Sequence, residues 1–186
     1  MSQRALLLAV RDQLRLAAPD GVGLAPEECE VRPDGRPPPN VGERFVAVSP
    51  SYWRGEDIEG LSEEYGCQVT VTVRAADVPD DRFGPYLLVG PTGKSLDELL
   101  EAIRVVLHLD RNADAVLNRA NAIIGAGANG FVEPLRFREG GRPDEKRQDW
   151  FEGREGGRVP RDTIVAIVQT LTFGGARRVQ TIESMT

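Results

Sequence analysis

"CQVTVTVR", residues 67 to 74, alternates along its whole length: Val69, Val71 and Val73 fall on one face of an extended chain, and Gln68, Thr70, Thr72 and Arg74 on the other. A strand of this kind has one face in a core and the other against water or a second subunit. Upstream, "RFVAVS" at 44 to 49 reads as a short strand. Far downstream, "TIVAIVQTLTF" at 163 to 173 reads as the last strand, and the successive apolar positions of its first half predict cover on both faces. A fourth extended run, "FVEPLRF" at 131 to 137, is interrupted by Pro134, which confines it to a sheet edge or a bulge.

Between and before these strands the period changes from 2 to 3.6. Leu7, Val10, Leu14 and Ala17 give a surface helix over residues 3 to 18, with Arg4, Arg11 and Arg15 on its other faces and a stop at Pro19-Asp20-Gly21. Leu96, Leu99, Leu100, Ile103, Val106 and Leu107 form the broadest stripe in the chain. After a break near residues 110 to 112, Ala113, Val116, Leu117, Ala120, Ile123 and Ile124 form another, with Gly125 as its C-terminal stop. The fold class predicted is α+β, with a mainly antiparallel or mixed sheet of four to five strands flanked by two to three helices.

A chain of 186 residues is most simply one domain spanning 1 to 186. Residues 22 to 44 carry two glycine and proline clusters and read as turns and extended backbone; residues 75 to 85 read as a turn-rich loop. The net charge of -6 lacks the electrostatic footprint of a protein that grips nucleic acid through its phosphates. Cys29 and Cys67 belong to no Cys-x-x-Cys pair, so neither a zinc knuckle nor a disulfide framework is expected, and a reducing compartment fits. The apolar run at 5 to 10 is too short for a secretory signal and meets Arg11, Asp12 and Arg15 at once, which predicts a protein kept in the compartment of its synthesis.

Chemistry-bearing patterns are few. "VGPTGKSLDELLEAI", residues 89 to 103, has the parts of a phosphate-binding loop ahead of a helix, but that loop needs a glycine five positions before Gly93, and residue 88 is a leucine. A nucleotide-binding protein using the turn from Gly90 to Ser95 therefore stays only as an alternative of a different class. The same residues make a turn and a capping box: the Ser95 hydroxyl accepts from the Glu98 N–H, and the Glu98 carboxylate returns to the Ser95 N–H. A nucleophile and histidine device has one candidate histidine, His108, which lies at the end of a helix just off its apolar stripe and reads as structural. No segment spaces oxygen ligands as a hard-cation loop does, so no catalytic residue, cofactor or metal is expected.

One segment stands apart. Residues 138 to 162, "REGGRPDEKRQDWFEGREGGRVPRD", are dense in charge, glycine and proline yet hold Trp150-Phe151 at their centre. A long loop of this kind in a compact domain reads as a solvated loop or as an arm that orders against a partner. Aromatic and arginine anchors favour interfaces, so Arg138, Arg142, Arg147, Trp150, Phe151 and Arg154 are candidate contact residues. Arg177 and Arg178, just past the final strand, could meet a phosphate or an acidic subunit.

Taken in order, the N-terminal amphipathic helix, the strand "CQVTVTVRA", the helix "SLDELLEAIRVVLHL" and the closing "AIVQTLTFGGARRV" resemble the tail terminator (tail completion) proteins of long-tailed bacteriophages and gene transfer agents. The resemblance implies a small α+β domain, a non-enzymatic structural protein of the virion, assembled in the host cytoplasm. It implies a homo-oligomeric ring, in that family a hexamer, that caps the tail tube, ends its polymerisation and joins it to the head connector or stopper. Its partners would be further copies of itself, the tail tube protein and the head connector, with DNA only passing through a lumen. A head completion or adaptor protein of the neck is the neighbouring possibility within the class. The proline-rich residues 33 to 39 and the loop at 138 to 162 depart from the shorter members of the family.

Overall fold

The alternation of residues 67 to 74 is the visible part of a longer strand at the centre of a mixed sheet. The computed structural model describes residues 2 to 35, 44 to 50, 57 to 58, 62 to 74, 96 to 125, 130 to 140, 144 to 147 and 164 to 178. Over these, the chain runs through α1 (Ser2–Arg15), a 3-10 turn (Pro26–Glu28), β1 (Cys29–Val31), β2 (Arg44–Pro50), β3 (Asp57–Ile58), β4 (Ser62–Arg74), α2 (Leu96–His108), α3 (Asp110–Ile124), β5 (Arg136–Gly140), β6 (Asp144–Arg147) and β7 (Ile164–Arg178). The main sheet order is β1-β2-β4-β7-β5, with β3 pairing β4 and β6 pairing β7. Only β1 and β2 run parallel; the other pairs are antiparallel. The expected α+β class with a mixed sheet is the fold of the protein.

Register explains how one face becomes core. Val48 lies opposite Val69, Val69 opposite Leu171, and Cys67 opposite Phe173, which in turn faces Phe137. Val46, Val48, Cys67, Val69, Leu171 and Phe173 join Cys29 of β1 in one buried cluster with Leu6, Val10 and Leu14 of α1, Leu99, Ile103 and Leu107 of α2, and Val116 and Ala120 of α3. All three helices thus contribute to the core on the same side of the sheet. A fully buried aliphatic or aromatic side chain contributes about 1.5–3 kcal/mol, so this cluster dominates stability. Alternation sends Phe45 and Ala47 to the opposite face, where they form a second, small buried cluster.

The helix stripes fall where the spacing puts them, with instructive exceptions. Leu7, Val10 and Leu14 are buried, but α1 ends at Arg15 and Ala17 is exposed. The chain turns away there because Gly21 donates to the Ala17 carbonyl (3.0 Å), Val22 to the Leu14 carbonyl (3.1 Å) and Gly23 to the Leu16 carbonyl (2.7 Å). Gly21 is required by this close approach: a β-carbon on it would strike the carbonyl oxygens of Leu16 and Gln13. The break between the later helices is a single residue, Leu109, rather than residues 110 to 112, and its extended backbone lets α3 start at Asp110. Gly125 ends α3 in the left-handed conformation (φ 64°), the role expected of it. Ile123 departs from the stripe and is 47% exposed.

Strand limits moved further. β4 begins at Ser62 and β7 runs to Arg178, beyond the apolar patterns, because the two pair without interruption over 13 residues and satisfy each other's backbone groups whatever the side chains. Residues 131 to 137 are not one strand: Phe131 makes an isolated bridge to Arg177, and β5 starts only at Arg136, after Pro134. It does lie at the edge of the main order. The segment expected to be turns and extended backbone at 22 to 44 contains the 3-10 turn and β1. Residues 138 to 162 are not wholly loop, since β5 continues to Gly140 and β6 occupies 144 to 147. Residues 75 to 95, which include the loop expected at 75 to 85, lie outside the described residues. Among the described residues no helix is long and apolar enough to cross a membrane.

Candidate functional site

The candidate contact residues are spread along β7 instead of gathered. Arg138 is the extra residue of a bulge in β5, because Phe137 pairs Phe173 while Glu139 pairs Thr172. Its side chain is exposed. Arg147 ends β6 opposite Ile164, next to a second irregularity. Arg177 and Arg178 close β7 opposite Glu63 and Ser62. Ile164 and Arg178 are separated by the length of β7, roughly 45 Å at the usual strand rise. The sheet therefore does not unite these arginines in one basic patch. Arg142, Trp150, Phe151 and Arg154 lie outside the described residues, as do Ser95 and the turn from Gly90. Glu98 is exposed in the first turn of α2.

Sequence reasoning missed the contacts that join α2 to β5. The backbone N–H of Phe137 donates to His108 Nδ1 (3.2 Å), and Arg136 donates through its guanidinium to the His108 carbonyl (3.2 Å). Phe137 also meets Phe173 edge-on, with ring centroids 5.8 Å apart at 72°, and carries the Arg104 guanidinium 5.9 Å from its ring centre. Arg104 forks onto the Glu101 carboxylate (2.9 and 2.8 Å). That bond holds the Glu101 carboxyl below its usual range and raises Arg104. The only sequence signal for this site was the placement of His108 at a helix end. Its partner lies 29 residues away, beyond any local pattern.

A comparable device fixes the other end of α3. Asn121 donates its amide to the Phe131 carbonyl (3.0 Å) and accepts from the Phe131 N–H (2.8 Å), so one side chain acts as a strand partner for a residue whose other side bridges Arg177. At the opposite edge of the sheet, Arg15 in the last turn of α1 donates to the carbonyls of Pro26 (2.7 Å) and Cys29 (2.5 and 3.1 Å). It thereby satisfies an acceptor on the open edge of β1 and ties that edge to the helix.

The two cysteines are free and buried. Burial pushes the Cys29 thiol up to about 12, against a smaller lowering by Arg15. Burial raises Cys67 as well. Thiols so placed are poor nucleophiles and serve as small apolar core groups. Among the described residues no group of three or more histidine, cysteine, aspartate or glutamate side chains is arranged to hold a metal ion. The described surface includes the exposed end of β5, the exposed Arg104, Arg111 and Arg138, and a face on which Gln68, Thr170 and Thr172 are half-buried beside the buried Phe45 and Ala47. Compared with known proteins, the chain matches no protein-family model, and no curated protein aligns with it significantly.

Proposed function

We propose that the chain is a structural protein of a tailed-phage particle that forms a ring with copies of itself at the tail-to-head junction. There it ends tail-tube polymerisation and meets the head connector. The observation that carries this reading is the difference between the two faces of the sheet and its charged flank. All three helices contribute to the core on one face; on the other, Phe45 and Ala47 form a small buried cluster beside the half-buried Gln68, Thr170 and Thr172, and the bulged strands β5 and β6 form the flank. A head-to-tail contact needs two different surfaces on each copy, which rotation can close into a ring. A helical layer and a polar sheet flank are two such surfaces.

The order of helix, strands, paired helices and long final strand supports the same reading. Such a protein works by recognition, so it is not an enzyme in this role. A net charge of -6 lets DNA move through a lumen without being held. Electron microscopy and sedimentation of the purified protein, alone and mixed with tail tube protein, test this reading. Rings are expected, with six copies favoured by the resemblance. A chain that stays monomeric at high concentration with both tube and connector proteins overturns the reading. Rings that bind connector but not tube identify a neck adaptor instead.

A further inference from the structure

We propose that β1 is a strap over the apolar edge of β2, pinned by Arg15, and that loss of the pin opens β2 to pairing with a second copy of this chain. The inference stands apart from the ring reading. β2 carries Phe45-Val46-Ala47-Val48-Ser49, and all five residues are buried. A window that is β-prone, uncharged and free of proline is the kind that pairs with other chains once its edge is open. On one side β2 pairs with β4 along its whole length, from Arg44 to Pro50. On the other, among the described residues, it is covered only at Val46, Ala47 and Val48, by Cys29, Glu30 and Val31 of β1.

A cover of three residues is short, and it lies between Pro26 and Pro33, which have no N–H to add to a ladder. The Arg32 N–H donates to the Val48 carbonyl (2.9 Å). In a parallel ladder that bond turns the backbone of Glu30 and Arg32 toward β2, and that of Cys29 and Val31 outward. The Cys29 carbonyl therefore lies on the outer side of the strap. Arg15 takes it there with both Nε (3.1 Å) and Nη2 (2.5 Å), and Nη2 also reaches the Pro26 carbonyl (2.7 Å). The guanidinium is carried by α1, whose Leu6, Val10 and Leu14 are completely buried, so β1 is tied to a fixed body. Beneath the strap, Cys29 is fully buried and Val31 packs half-buried against the core. The strap thus has two holds, apolar contact inside and a planar fork outside, and a lysine would replace that fork with a single point donor. Short edge strands, prolines and charge at the edge are the means by which sheets resist strand addition, and all three meet here.

Hydrogen exchange followed by NMR, with sedimentation in the presence of a cross-β dye, tests the strap on the full chain. In Arg15→Met, which keeps an unbranched stem and loses the donors, exchange of the Arg32 amide is expected to accelerate about tenfold, the size of one charge-assisted hydrogen bond. The Val132 amide, which donates to the Ala176 carbonyl, should hold steady. As protein concentration is raised, Arg15→Met should form dye-binding species that the wild type does not. Arg15→Lys should accelerate the Arg32 amide by less, about threefold, and carries the test if Arg15→Met does not fold. An Arg32 amide unchanged in both variants would show that Arg15 is not the pin. An accelerated amide with no dye-binding association at any concentration, or equal dye binding by wild type and variants, would show that β1 does not guard β2, and either result overturns the proposal.

Discussion

The seam between α1 and the sheet is held mainly by shape and apolar area, with Arg15 adding polar contacts at the β1 edge, whereas the seam between α2 and β5 depends on a few directed polar contacts. Leu6, Ala9, Val10 and Leu14 are completely buried against the sheet. In β5, by contrast, Arg136 and Phe137 are half-buried and Arg138, Glu139 and Gly140 are exposed. The first seam tolerates no loss of volume, because a void forfeits both transfer energy and packing. The second depends on single hydrogen bonds and one aromatic ring, each of modest net value. A protein arranged in this way has a rigid side and an adjustable side.

The sharpest way to break the comparison is Leu14→Ala. It should lower the unfolding free energy by about 2–5 kcal/mol in denaturant titrations, with cooperativity retained. A loss under about 1 kcal/mol would mean that the α1 seam is as loose as the other. Asn121→Ala should cost less, about 1–3 kcal/mol, because it strips a donor and an acceptor from Phe131 at once. Amide exchange should accelerate at Phe131 and leave Val46 unchanged. The smallest effect is expected for Phe137→Leu, about 0.5–1.5 kcal/mol, from loss of the edge-on ring contact and the Arg104 stack. If it matched Leu14→Ala, β5 would belong to the rigid side.

Legibility in the sequence follows the same division. The strand at 67 to 74, the stripes of α2 and α3 and the stop at Gly125 were readable because each is set by residues close in sequence and by burial on one face. β1 was not, since three residues among glycines and prolines carry no period, and it exists because Cys29, Glu30 and Val31 align with Val46, Ala47 and Val48. β6 was hidden in a charged run for a similar reason: Asp144 to Arg147 has no apolar face and is a strand through its partner. Of the candidate site, the arginines were visible as residue types, but nothing local told that Arg138 sits on a bulge or that Arg147 and Arg178 stand at opposite ends of β7. The partners of His108 and Asn121, 29 and 10 positions away, were equally invisible, because neither separation matches a helix or strand period.

The long pairing of β4 with β7 bears on the order in which the molecule can be made. Its paired residues run from Arg74 with Ala166 to Ser62 with Arg178, so they lie 92 to 116 positions apart in the chain. Contacts that distant form slowly, since a large loop must close before any of them is rewarded. During synthesis α1, β2 and β4 emerge first, and β4 keeps one side unpartnered until β7 has been made. The sheet is therefore sealed by its last strand, and the interval before that strand arrives is when the nascent chain is most open to pairing with the wrong neighbour.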